Sequence, residues 1–109
     1  MTVTEIEPMD LYNLGPWSER EYFDLGVTLN RIELIDGSLQ VTPAPTVHHQ
    51  RVCRRLTRRF EDAVESAGFE VHPGVNVRLK PDRIVIPDLI VTAGHLDGLA
   101  IDAIEVKLV

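Results

Sequence analysis

The sequence predicts an α/β domain, in detail an α+β mixed sheet carrying one long helix, and three stretches of it predict this. Arg31 to Val41 alternates apolar and polar residues around Asp36-Gly37. Residues 47–67 repeat apolar side chains at helical spacing. From Phe69 onward, short apolar runs recur between glycines and prolines, as strands do. This order of elements suits a sheet with the helix packed on it. A chain of 109 residues fits one domain with one modest core.

Each element has a local cause. Residues 1–15 read as a flexible arm that contains Pro8 and ends at Gly15-Pro16, with the domain over 16–109. Ser18 can cap a short helix, because its hydroxyl can take a backbone N–H of the first turn, where Glu19 and Glu21 complement the helix dipole. Trp17, Tyr22, Phe23 and Leu25 anchor it, and Gly26 ends it. Asp36-Gly37 accepts the positive φ angles of a two-residue turn, so 31–41 is predicted to be an antiparallel hairpin. Pro43-Ala44-Pro45 interrupts the sheet. Thr46 then caps a helix whose stripe is His49, Val52, Leu56, Phe60, Ala63, Val64 and Ala67, with Gly68 as its stop. Strands are expected at Phe69–His72, Val75–Leu79, Ile84–Thr92 and Ile104–Leu108, with a loop over Gly94–Leu99. Ile84–Thr92 is apolar on both faces, which marks a strand covered on both sides. Such cover comes from a partner subunit, hence an expected homodimer, or from polypeptide beyond this one.

Bulk properties narrow the function. The net charge of −6 argues against a general nucleic-acid coat, which needs many cations against phosphate. No apolar run is long enough to cross a bilayer, so no membrane partner is expected. An acidic N-terminus and a lone Cys53 point to the cytoplasm. Charge is uneven, however. Arg51, Arg54, Arg55, Arg58 and Arg59 are five of the eleven basic residues. Such a cluster is usually a solvated helix face, but it can also steer a phosphate backbone.

Asp88 is the first candidate for chemistry. Pro87 cannot donate to a ladder and bends the chain. Asp88 therefore either caps a turn or stands as a charge within a strand, and the continuing run Leu89-Ile90-Val91 favours the second. Burying an unpaired carboxylate costs on the order of several kcal/mol, which a bound cation would offset. Glu105 and Lys107 lie two residues apart on the expected last strand, about 7 Å from one another on one face. Taken alone they read as solvated charges. Joined to Asp88, two carboxylates on neighbouring strands can hold a hard cation such as Mg2+ or Mn2+, with Lys107 orienting the attacking water. Pro87-Asp88 followed by Glu105-Val106-Lys107 is a PD…ExK pattern, short enough to arise by chance. Glu33 faces away from Ile32 and Leu34, as a solvated residue or a third carboxylate near the metal. His49 begins the helix stripe and is more often a packing residue than a ligand. His48, His72 and His95 lack ligand spacing, and one cysteine excludes a thiolate zinc cluster.

Six segments occur in order: Tyr22-Phe23; Arg31-Ile32-Glu33-Leu34-Ile35-Asp36-Gly37; Thr42-Pro43-Ala44-Pro45; His49-Gln50-Arg51; Val75-Asn76-Val77-Arg78-Leu79; and Ile86-Pro87-Asp88-Leu89-Ile90-Val91. From about residue 17 onward the chain resembles the Uma-two family of the PD-(D/E)XK nuclease superfamily. The resemblance implies a restriction-endonuclease-like core, a divalent metal site and hydrolysis of DNA phosphodiester bonds. It matches the family's functional positions at Asp88, and also at Glu33 and His49. The family's further turn, helix and strands are not matched, so the core is expected to be incomplete at the C-terminus. In one register the family's second carboxylate falls beyond Val109 and Glu105-Val106-Lys107 is a chance match. In the other, Glu105 is the second metal ligand and Lys107 the catalytic lysine. The competing expectation is a non-catalytic remnant that dimerises or binds a partner.

Overall fold

A computed structural model describes residues 3–4, 16–28, 30–94 and 96–109. The expected arm over 1–15 lies outside the described residues except for Val3–Thr4 (β1), which pairs in parallel with Val27–Thr28 (β2). His95 also lies outside them.

Ser18 caps the first helix, Glu19–Asp24 (α1), with a reciprocal box: Ser18 Oγ accepts the Glu21 N–H and Glu21 Oε1 accepts the Ser18 N–H. Arg31–Ile35 (β3) and Ser38–Thr42 (β4) form the expected hairpin. Asp36 and Gly37 both take positive φ, at 50° and 86°. Thr46 Oγ1 accepts the His49 N–H and starts Val47–Val64 (α2), the long helix, which continues as a 3-10 turn over Glu65–Ala67 and stops at left-handed Gly68. The remaining strands are Phe69–Pro73 (β5), Val77–Lys80 (β6), Arg83–Val85 (β7), Leu89–Ala93 (β8), Ile101–Asp102 (β9) and Val106–Leu108 (β10).

The fold is mixed α+β with two main sheets and one main helix. One sheet runs β4-β3-β7-β6-β9, antiparallel except for the parallel β6–β9 pair, and the other runs β10-β8-β5. The single strand expected over Ile84–Thr92 is thus two strands in two sheets. Ile86-Pro87-Asp88 is the break between them, because Pro87 supplies no ladder N–H. Its two-sided apolarity has a matching cause. Ile84 joins Tyr22, Ile32 and Leu34 in one core, and Ile90 joins Val77 and Ile101 in another.

Helix α2 lies against β5 with a face rotated from the expected stripe. His49, Cys53, Thr57, Phe60 and Val64 are half-buried, whereas Val52 and Leu56 remain 41% and 43% exposed. The last expected strand is also shorter. Ala103–Glu105 is a 3-10 turn and Ile104 is exposed, so Ile104, Glu105 and Lys107 do not alternate along one strand.

Tyr22 ties α1 to the larger sheet. Its ring is buried, and its hydroxyl donates to the Ile32 carbonyl at 2.6 Å and lies 3.2 Å from Asn76 Oδ1. Burial, with the Glu33 charge as a lesser cause, pushes its pKa up to about 12 from 10.0. The folded value exceeds the unfolded one, so this contribution to stability is complete below about pH 10 and is lost as pH rises through about 12. Urea unfolding should therefore show an alkaline loss of stability across that window. Tyr22→Phe should remove this step and lower stability at neutral pH by about 1–2 kcal/mol. An unchanged alkaline profile in the variant would assign the effect elsewhere.

Candidate active site

The interruption between β7 and β8 at Ile86-Pro87-Asp88 leaves backbone groups without ladder partners, and β3 supplies them from its polar face. Along β3, Ile32 and Leu34 point into the core at 4% and 0% exposure, so Arg31 and Glu33 point the other way. Glu33 Oε2 accepts the Ile86 N–H at 2.6 Å. Arg31 donates through Nη1 to the Ile86 carbonyl at 3.1 Å and to Asp88 Oδ1 at 3.0 Å. Two side chains from one strand thereby grip both backbone groups of Ile86 and hold Asp88 at the seam.

The third contributor is the first turn of α2. Thr46 fixes His49 by its cap, and His49 Nε2 lies 3.2 Å from the same Asp88 Oδ1. One turn on, Cys53 Sγ lies 3.4 Å from that same Nε2. Arg31, Glu33, Thr42, Pro43, Ala44, Pro45, Thr46, His49 and Asp88 line an open cleft of about 440 Å³.

Asp88 is a charge in a turn, 49% exposed at its side chain, and not a carboxylate within a strand. Its ionised form is favoured all the same. The hydrogen bond from Arg31 is the largest cause that holds its carboxyl below the usual carboxylate range. Partial burial opposes this, and His49 adds to it.

The structure brings together Asp88, Glu33 and His49. It does not bring Glu105 or Lys107 to them. In the antiparallel β8–β10 pair, Val106 faces Thr92 and Leu108 faces Val91. Glu105 therefore sits at the Ala93 end of β8, and Asp88 precedes the opposite end, on the order of 15 Å away along the strand. Glu105 lies in the 3-10 turn, and both side chains are exposed. In this arrangement neither Glu105 nor Lys107 lines the cleft that holds Asp88.

Arg31 and Cys53 are the two site residues that sequence reasoning missed. Both carried a spacing signal. Arg31 precedes Glu33 by two, which puts it on the same strand face, and Cys53 follows His49 by four, which puts it on the same helix face. The arginines of α2 (Arg51, Arg54, Arg55, Arg58 and Arg59) are all exposed. Arg54 and Arg58 line a shallow groove with Gln50, Cys53, Thr57, Glu61 and Pro73.

The donors suit a hard divalent cation in kind. Among the described residues, the hydrogen bonds of Asp88 and Glu33 use Oδ1 and Oε2, leaving Oδ2 and Oε1 for a ligand. No helix of the described residues is long and apolar enough to cross a membrane. The model of one family, Uma2, described as "Putative restriction endonuclease", matches residues 20–108. No curated protein matches the chain.

Proposed function

Because the chain belongs to the Uma2 family, we propose that the cleft at the sheet seam hydrolyses DNA phosphodiester bonds with a divalent cation, Mg2+ or Mn2+. One observation supports this most: two carboxylates, Asp88 and Glu33, share a cleft with a guanidinium that bridges its backbone and its acid. Asp88 and Glu33 would hold the cation through their second oxygens. A cation there supplies polarisation of the scissile phosphate and of the water that attacks it.

The chain's own groups complete the site. Arg31 is a fixed planar donor beside Asp88, suited to the oxygens of a phosphate as negative charge builds in the transition state. His49 Nε2 stands at the cleft wall, where a ring nitrogen can take or return a proton. Exposed Arg51, Arg54, Arg55 and Arg58 on α2 would meet the phosphate backbone, which positions the duplex without reading its sequence.

The direct test is conversion of supercoiled plasmid to nicked circles. The protein should nick with Mg2+ or Mn2+, stop on chelation and restart when the ion is restored in excess. Nicking that persists under chelation, or none with either ion, would remove the proposal.

A further inference from the structure

The same seam carries a second set of donors that hard-cation chemistry does not use. His49 Nε2, Cys53 Sγ and a carboxylate oxygen of Asp88 all lie within 4.8 Å of one another. The closest approaches, 3.2 Å from nitrogen to oxygen and 3.4 Å from nitrogen to sulfur, both end on the same ring nitrogen. That detail decides between two readings of a Cys-His-Asp group. A proton relay to activate the thiol needs the acid on one imidazole nitrogen and the thiol on the other. Here both compete for Nε2, which has one lone pair or one proton to share, so the arrangement does not relay.

Three donors converging on one point suit a metal ion instead. Around a tetrahedral zinc, bonds of about 2.0–2.3 Å place neighbouring N, O and S ligands about 3.3–3.6 Å apart. Two of the three observed edges are close to these; the sulfur-to-oxygen edge, within 4.8 Å, closes by about an ångström as both ligands turn onto the ion. The His-x-x-x-Cys spacing on α2 places both ligands one turn apart on one helix face. Thr46 fixes the first turn, and Arg31 fixes the third ligand. One thiolate and one imidazole select a borderline or soft ion over magnesium.

We propose that His49, Cys53 and Asp88 form a transition-metal site for Zn2+ or an ion of similar softness, with a water as fourth ligand. Binding replaces the Cys53 S–H bond with a sulfur–metal bond and releases that proton to solvent. Asp88 is common to this site and to the hydrolytic one. On the nuclease proposal above, the soft ion draws on the same carboxylate charge as the hard one, so it weakens hard-cation binding and slows cleavage.

Titration of the reduced chain with Co2+ provides a readout that needs no catalysis. One equivalent should saturate and produce both a thiolate-to-cobalt charge-transfer band and tetrahedral d–d bands. Zn2+ should bleach them stoichiometrically. Cys53→Ser should lose the charge-transfer band and His49→Ala should weaken binding by roughly a hundredfold or more, as a lost ligand costs at least as much as a lost supporting contact. Glu33→Gln should keep the spectrum, since Glu33 lies outside this donor set.

A spectrum of six-coordinate oxygen ligation that ignores Cys53→Ser would overturn the site, as would loss of the bands in Glu33→Gln. If the cobalt spectrum appears but magnesium-dependent nicking does not, the site stands and the nuclease proposal falls. If nicking occurs but Zn2+ leaves it unchanged at saturation, the claimed competition is wrong.

Discussion

Asp88→Asn should cut metal-dependent nicking by at least roughly a hundredfold, in line with removal of one preorganised electrostatic group from a reaction centre. The change keeps the shape and one acceptor oxygen, so Arg31 retains a partner at the seam. What disappears is the negative charge that would hold the cation. The fold should barely notice. Asp88 is half exposed, and ion pairs in that setting contribute on the order of 0–1 kcal/mol after screening. Thermal melts of variant and parent should agree within a few degrees. Single-turnover nicking at saturating Mn2+ separates lost affinity from lost chemistry, because excess ion rescues the first and not the second. A variant that nicks at the parental rate would show that Asp88 is a positioning residue of the seam and nothing more.

Leu34→Ala tests the other side of the same strand and should be the most damaging single truncation. Leu34 has no exposed surface, pairs across the ladder with equally buried Ile84, and belongs to the core under α1. Removing a fully buried leucine side chain costs about 3–4 kcal/mol, transfer and cavity together. Small domains hold about 5–15 kcal/mol in all, so little stability would remain. The urea midpoint should fall accordingly with the slope unchanged. A loss under about 1 kcal/mol would mean that this core collapses around the gap, or that the hairpin is not packed as described.

Elements whose causes are local were readable. Ser18, Thr46 and Gly68 mark helix ends through hydrogen bonds or φ angles within four residues, and Asp36-Gly37 marks a turn through its own backbone. The errors came where the cause is distant. Ile84 to Thr92 is uniformly apolar because one half serves the core with Leu34 and the other the core with Val77, a division visible only after folding. The two-residue β9 is too short for any period to mark it. The buried face of α2 is set by β5 beneath it, so Cys53 and Thr57 are covered while more apolar Val52 and Leu56 are not. At the cleft, pattern and resemblance name Asp88, Glu33 and His49, which lie together along its wall. Arg31 reaches Asp88 across 57 residues of sequence, a pairing that no local rule provides. Glu105 and Lys107 matched a short pattern without meeting in space.

The hairpin strand Arg31–Ile35 carries core and chemistry on alternate residues, and this has a consequence for errors in folding. A slip of one position would turn Ile32 and Leu34 out to water and bury Arg31 and Glu33. Stability and reactivity would vanish together, so a misassembled copy should be both unfolded and inert. For a protein proposed to cut DNA, that coupling would act as a safeguard, because a mispaired copy would not persist as a loosened, indiscriminate cutter.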